Sequence, residues 1–355
     1  MEKERIVYFD YLRVFAMLAV MVLHVATQGW ETADVNSFQW NVLNIYDSLV
    51  RWGVPVFVMI SGALFLSKEV DVKKLYTKNI ARLAVAFVVW SVFYAVYLPV
   101  SKLVLTGENT FSIKTMVSEV ITGAYHMWFI PMIIGLYICV PLIKQFVLNE
   151  KLMKYYLKLS FIFAFLVPQL INILSDFTPL STFGIIDSVE KLLSDMHLDI
   201  LFGYVFYFVL GYFLSKTEFS KDKRIKIYIG GLCGFLLTVL LTALASVKAG
   251  SAVETYYLNF NVNVFLEAVA VFVLFKQMKL KNNKLNKAVT AFSQYSFGAY
   301  LVHIFVISAL IVVGINTSIC NAVLSVPIVS LIVIIASFII SFVLNKIPFI
   351  NKWLV

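Results

Sequence analysis

The sequence predicts an all-α, polytopic integral membrane protein with about ten transmembrane helices around a central polar cavity. Three observations carry that prediction. The 355 residues are 61% hydrophobic and only 14% charged, whereas a soluble domain is about half apolar and a quarter charged. Mean hydropathy is +0.88. Apolar stretches of spanning length recur from end to end, at 6–28, 44–66, 80–101, 127–147, 155–175, 199–215, 226–247, 260–278, 290–314 and 321–345. No linker, low-complexity tract or internal repeat divides them, so residues 1–355 read as one transmembrane domain.

The net charge of +9 needs no nucleic acid to account for it. With the N-terminus inside, Lys3, Arg5 and the basic residues of alternate loops fall on the inner side. Of the 29 lysines and arginines, the outer side takes only Lys102, Lys114, Lys191, Lys248 and Arg51, and Arg13 lies within the first span. That asymmetry obeys the positive-inside rule. An even number of spans then places both termini in the cytoplasm of a plasma-membrane protein.

In the first span, Arg13 and His24 are eleven residues apart. At about 100° and 1.5 Å per residue they return to within about 20° of one helix face, about 16 Å apart. Both are costly in lipid and are expected to face protein or a water-filled path. Asp10, three residues before Arg13, shares its face and is expected to pair with it. Residues 28–44 carry Trp30 and Trp40 and suit an interfacial belt or lid. In span two, Gly53-Val54-Pro55 and Ser61-Gly62 permit a kink and close helix approach. Asp47 and Arg51 form an ordinary ion pair at its start. Lys73, Lys74, Lys78 and Arg82 read as snorkelling cations or as an anion-attracting mouth.

Residues 111–124 alternate apolar and polar and suit a surface-lying helix. His126 and Trp128 open span four, where an aromatic belt is expected, and Pro131 and Pro141 bend that span. The acids of 175–199 read as solvated. Glu267 is an intramembrane carboxylate with Asn263 one turn before it, either a functional group or a partner for Arg51 or a histidine. Ser296, Tyr300 and His303 recur at four and three residues, one polar stripe on an apolar helix. The stripe is expected to face the same cavity as His24.

Cys139, Cys233 and Cys320 suggest no pairing and are expected to be inert buried thiols. There is no Gly-rich phosphate loop, paired-cysteine motif or Gly-x-Ser-x-Gly elbow, and the histidines are too dispersed for a sequence-local metal site, so no metal is expected.

Phe9-Asp10-Tyr11-Leu12-Arg13 with His24, then Gly53-Val54-Pro55-Val56-Phe57 and Ile60-Ser61-Gly62, resemble the membrane acyltransferase-3 family. His126-Met127-Trp128-Phe129 with Gly135-Leu136-Tyr137, and Ser296 through His303, resemble its later signatures. The resemblance covers about residues 5–345. It implies transfer of an acyl group, usually acetyl, from cytoplasmic acyl-CoA to a hydroxyl of an envelope polysaccharide or glycan at the outer face. Acyl-CoA is then a donor substrate, and no bound cofactor is expected. The resemblance places Arg13 on the donor side and His24 in the catalytic centre, with Tyr300 and His303 orienting His24 or binding the acceptor. In the segment after span two, which is arginine-rich in many members, only Lys78 and Arg82 remain. His24 can act as a general base or as the acyl-accepting nucleophile. The competing class is a membrane exporter of a polysaccharide or small solute, which would move its substrate without consuming acyl-CoA.

Overall fold

The computed structural model describes residues 5–355, with the backbone alone at 181 and 182; Lys3 lies outside them. Among these residues every regular element is helical. In chain order they are α1 (Val7–Ala26), α2 (Phe38–Val50), α3 (Gly53–Leu66), the single turn α4 (Val72–Lys74), α5 (Ala81–Thr106), α6 (Ile113–Thr122), α7 (Phe129–Val147) and α8 (Glu150–Ser160). There follow α9 (Val167–Phe177), α10 (Ile185–Asp195), α11 (Val205–Lys216), α12 (Lys221–Ala249), α13 (Val262–Gln277), α14 (Asn283–Val312), α15 (Ala322–Leu344) and α16 (Pro348–Trp353).

Nine helical stretches among the described residues are long and apolar enough to cross a membrane. They correspond to nine of the ten stretches expected from sequence. The remaining one, 199–215, is represented by α11, whose 12 residues cover about 18 Å against a hydrocarbon core of about 30 Å. Gly203, at φ 89°, turns the chain just before it. The chain is an all-α polytopic membrane protein.

The chain divides into two compact units. The first comprises Met1–Gly29, Glu69–Pro141 and Lys279–Val355. Within it α1 packs on α14 and α15, α14 on α15 and α5, and α5 on α6 and α16. The N-terminal end of α5 is tied by two hydrogen bonds to the two residues that follow α16. Arg82 donates to the Val355 carbonyl, and the Trp90 indole donates to the Leu354 carbonyl at 3.0 Å.

The second unit comprises Trp30–Lys68 and Leu142–Met278. Here α3 packs on α11 with the two backbones in direct contact. A Cβ on Gly62 would stand 1.8 Å from the Phe208 carbonyl oxygen, and one on Gly211 would stand 2.0 Å from that of Met59. The two glycines let the backbones touch, the usual device where lipid gives helices no hydrophobic reason to associate.

Three sequence expectations change. Trp30 and Trp40 are not interfacial: they are 1% and 0% exposed and stack with ring centroids 5.9 Å apart. Span two begins earlier than the hydropathy suggests, at Phe38, with Ser37 capping α2 through the Trp40 amide, and Trp30 is held against that helix because its carbonyl accepts from the Trp40 indole at 3.0 Å. Asp47 and Arg51 consequently sit halfway along Phe38–Leu66, at the break between α2 and α3, with Asp47 fully buried. Cys233 and Cys320 are exposed and Cys139 half-buried, so the thiols are free but not core. The surface helix expected at 111–124 forms as α6, and within 175–199 Asp187, Glu190, Asp195 and Asp199 are exposed.

Candidate functional site: a histidine cluster and an arginine–aspartate pair

Both parts of the candidate site lie in the first unit. At the N-terminal end of α1, the Asp10 carboxylate is 3% exposed and is surrounded by donors. Arg5 grips it with two hydrogen bonds, Nε at 2.7 Å and a terminal nitrogen at 2.8 Å. Ser293 donates at 2.9 Å and Thr290 at 3.1 Å, both from α14. The expected partner Arg13 stands at 3.6 Å and spends one of its hydrogens on Ser293 Oγ at 3.0 Å. The fork on Asp10 is therefore Arg5, whose own pKa is pushed up by that bond. Sequence spacing pointed to Arg13 because it obeys helix periodicity, whereas Arg5 reaches Asp10 from the non-helical segment before α1. Arg13, a third exposed, meets Asp10 only through one terminal nitrogen.

Toward the other end of α1, three of the four histidines in the sequence come together. The His24 ring centroid lies 5.1 Å from that of His303, and His303 lies 5.3 Å from His126. They arrive from three elements: α1, α14 and the short 3-10 turn Tyr125–Trp128. His126 is 2% exposed and His303 is fully buried, whereas His24 is half-buried. Tyrosine rings wall the cluster. Tyr125 is 5.7 Å from His24, Tyr94 is 4.9 Å from His126 and Tyr300 is 5.8 Å from His303.

Hydrogen bonding fixes one of the rings. His303 Nδ1 bonds the Tyr300 carbonyl one turn back. A carbonyl only accepts, so the proton sits on Nδ1, and in the neutral ring Nε2 carries the lone pair. That Nε2 has no hydrogen-bond partner among the described residues, and neither ring nitrogen of His126 has one. Buried polar atoms without partners are uncommon and call for an explanation such as substrate or water. Tyr300 donates its hydroxyl proton to the His126 carbonyl at 2.5 Å. Its hydroxyl thus ties the 125–128 turn to α14. No group of three or more metal-ligating side chains among the described residues is arranged to hold a metal ion.

The remaining sequence-predicted residues are placed elsewhere. Ser296 is buried, and its hydroxyl turns back to the Phe292 carbonyl of its own helix at 3.4 Å. Lys78 is exposed on the π-helical turn Leu75–Ile80. Arg82 is occupied by the Val355 carbonyl and sits 5.7 Å over the Phe297 ring. Trp128 is 40% exposed. Glu267 belongs to the second unit, where its carboxylate accepts from Thr238 at 2.8 Å. Arg5, Ser293, Thr290, Tyr94 and Tyr125 escaped the sequence reading. For Tyr94 a signal existed: Trp90, Tyr94 and Tyr97 recur at four and three residues on an apolar helix, and buried hydroxyls must find partners.

No curated protein and no solved structure matches the chain. The acyltransferase-3 model, described as an acyltransferase domain, matches residues 6–346, which include every residue of the histidine cluster and the Asp10–Arg13 pair. The chain belongs to the acyltransferase-3 family of membrane acyltransferases.

Proposed function

We propose that the protein transfers an acyl group, acetyl by preference, from acyl-CoA on the cytoplasmic side to a hydroxyl of an envelope glycan on the outer side. The observation that carries the reading is the convergence of the His24, His126 and His303 rings, with buried nitrogens of His126 and His303 that have no hydrogen-bond partner among the described residues. Arg13 supports the donor side. Its side chain is a third exposed and meets Asp10 through one terminal nitrogen at 3.6 Å, and a planar fork with further hydrogens to give suits a phosphate.

In this reading Arg13 holds the donor phosphates, and the thioester extends along α1 for about three turns to His24. A neutral imidazole takes the proton of the acceptor hydroxyl as its oxygen bonds to the thioester carbonyl carbon. The carbon–sulfur bond then breaks, and the proton passes from the imidazolium to the departing thiolate. General-base assistance of this kind is worth about 10² to 10⁴ in rate. His303, with its lone pair at Nε2, is placed to receive or return that proton beside His24. Burial of His126 and His303 limits the water that reaches the acyl group from their side.

The test is to incubate the purified protein with acetyl-CoA and to weigh envelope glycans from cells with and without the chain. Thiol release together with an acetyl mass present only when the chain is expressed supports the reading; unchanged glycans and intact acetyl-CoA defeat it. Orientation is checked separately by labelling single cysteines from outside, in a variant lacking Cys139, Cys233 and Cys320. A probe at Asp187 should react and one at Lys221 should not. The reverse result would move Arg13 to the other side of the membrane.

A further inference from the structure

We infer that Tyr94 is a positioning residue that sets the geometry of His303 and His126 through its hydroxyl. The inference rests on the histidine cluster being the reacting centre, as proposed above.

The Tyr94 hydroxyl, 1% exposed, donates to the Leu301 carbonyl at 2.7 Å and accepts from the Phe305 amide at 3.2 Å. Those two backbone groups are four residues apart, the pair that an α-helix joins directly. A phenol from α5 therefore bridges one rung of the α14 ladder. His303 is midway between the two residues it bridges. A side chain inserted at a rung is a recognised cause of local bending, so the bridge bears on the direction in which His303 leaves the helix. Tyr97, three residues on, reaches the Phe305 carbonyl only at 3.5 Å, so it adds little.

The same ring acts on the second histidine. Tyr94 meets the His126 imidazole edge to face, with centroids 4.9 Å apart and planes at 80°. The Leu301 carbonyl also lies beside His126, and Tyr94 supplies that carbonyl with a hydrogen at good distance. Tyr94 and His126 thus meet at one carbonyl as well as ring to ring, so the Tyr94 hydroxyl bears on where that imidazole sits beside His303. No proton or acyl group needs to touch Tyr94 for this. Its effect runs through placement, and a displacement of about 1 Å at a reacting group costs about 10² in rate.

Tyr94→Phe keeps the ring and deletes only the hydroxyl. With acetyl-CoA as donor, kcat is expected to fall by about 10-fold to 100-fold, while KM for the donor stays within about twofold, because nothing at Arg13 changes. Tyr97→Phe should keep kcat within about twofold. A second readout does not depend on the donor. In protein labelled with nitrogen-15 at histidine, assigned with single His303→Gln and His126→Gln variants, Tyr94→Phe should shift the ring signals of both residues and leave those of His24 and His197 nearly in place. Unmoved His303 and His126 signals would overturn the inference even if the wild type proved inactive with acetyl-CoA. Wild-type kcat in Tyr94→Phe would overturn it equally. If Tyr94→Phe does not fold, 3-fluorotyrosine at position 94 keeps ring and hydroxyl but weakens the oxygen as an acceptor. The same two ring signals should then move, and their failure to do so would dismiss the role.

Discussion

The two units of this chain both bury polar side chains in helices of spanning length, and the polar series around Glu267 and the histidine cluster show two different outcomes. In the second unit the groups around Glu267 satisfy one another in series, although Asp47 Oδ1 and Arg51 Nε nearby have no partner among the described residues. Gln169 donates to Asn263 at 3.0 Å, Asn263 donates to Thr238 at 2.7 Å and to the Tyr256 carbonyl at 2.8 Å, and Thr238 donates to Glu267. Tyr256 in turn donates to Asp176 at 2.8 Å. Beside that series Arg51 pairs with Asp47 and lies 3.8 Å over the Tyr257 ring. In the first unit, three imidazoles sit a ring's breadth apart, and the buried nitrogens of two of them have no partner among the described residues. The lesson is that an ionisable group within the membrane does not by itself mark chemistry. Glu267 and His303 look equally suspicious in the sequence. What separates them is whether their hydrogen-bonding capacity is already spent.

That comparison can be broken in several ways. The largest effect is expected at His24: His24→Ala should lower transfer by about 10² to 10⁴ while the purified protein stays folded and still binds acyl-CoA by calorimetric titration. Normal turnover in that variant would remove His24 from the mechanism and with it the functional reading of the cluster.

Next comes Gly62→Ala, where a Cβ 1.8 Å from a backbone oxygen cannot be relieved by a rotamer change. Yield of folded protein in detergent, followed by size-exclusion chromatography, should collapse. A well-folded variant would show that α3 and α11 can separate at little cost. Arg13→Lys tests the donor half. Loss of the planar fork should raise KM for acyl-CoA about tenfold, which is about 1.4 kcal/mol, with kcat nearly unchanged. A fall in kcat at constant KM would make Arg13 part of the chemistry instead.

Thr238→Val interrupts the polar series of the second unit. Buried polar contacts between membrane helices are worth about 0.6 kcal/mol on average and up to about 1.7 kcal/mol, so thermal stability should fall modestly while kcat per folded molecule is kept. A selective loss of kcat would make that series a second functional region and erase the contrast between the units.

The smallest effect is expected at Glu218, whose carboxyl is held below its ordinary range by a hydrogen bond from Lys276 at 3.0 Å. A lowered folded-state pKa contributes stability above the unfolded value, and that contribution is lost as pH falls through the folded one. Because Glu218 is 81% exposed, solvent screens the pair. Glu218→Gln should therefore flatten the acid side of the stability profile only slightly, and not at all in high salt.

The sequence by itself determined that the chain is a helical membrane protein, where nine of its spans lie, and that Arg13 and His24 share a face. Those follow from hydropathy and from the fixed rise and turn of an α-helix, which are local properties. It also picked out His126, Tyr300 and His303, because polar side chains are conspicuous on apolar helices. Other features were decided only in three dimensions. Arg5 joins Arg13 on Asp10, and at closer range, through a non-helical approach that no periodicity encodes. Trp40 is drawn inside because α2 begins before the apolar run, and Trp30 follows by stacking on it and accepting from its indole. The convergence of three histidines needs three elements separated by more than a hundred residues along the chain. The Tyr94 hydroxyl reaches a backbone rung 207 residues away. Hydropathy says which side chains lipid will not tolerate; only packing decides which of them find partners and which are left with a nitrogen to use.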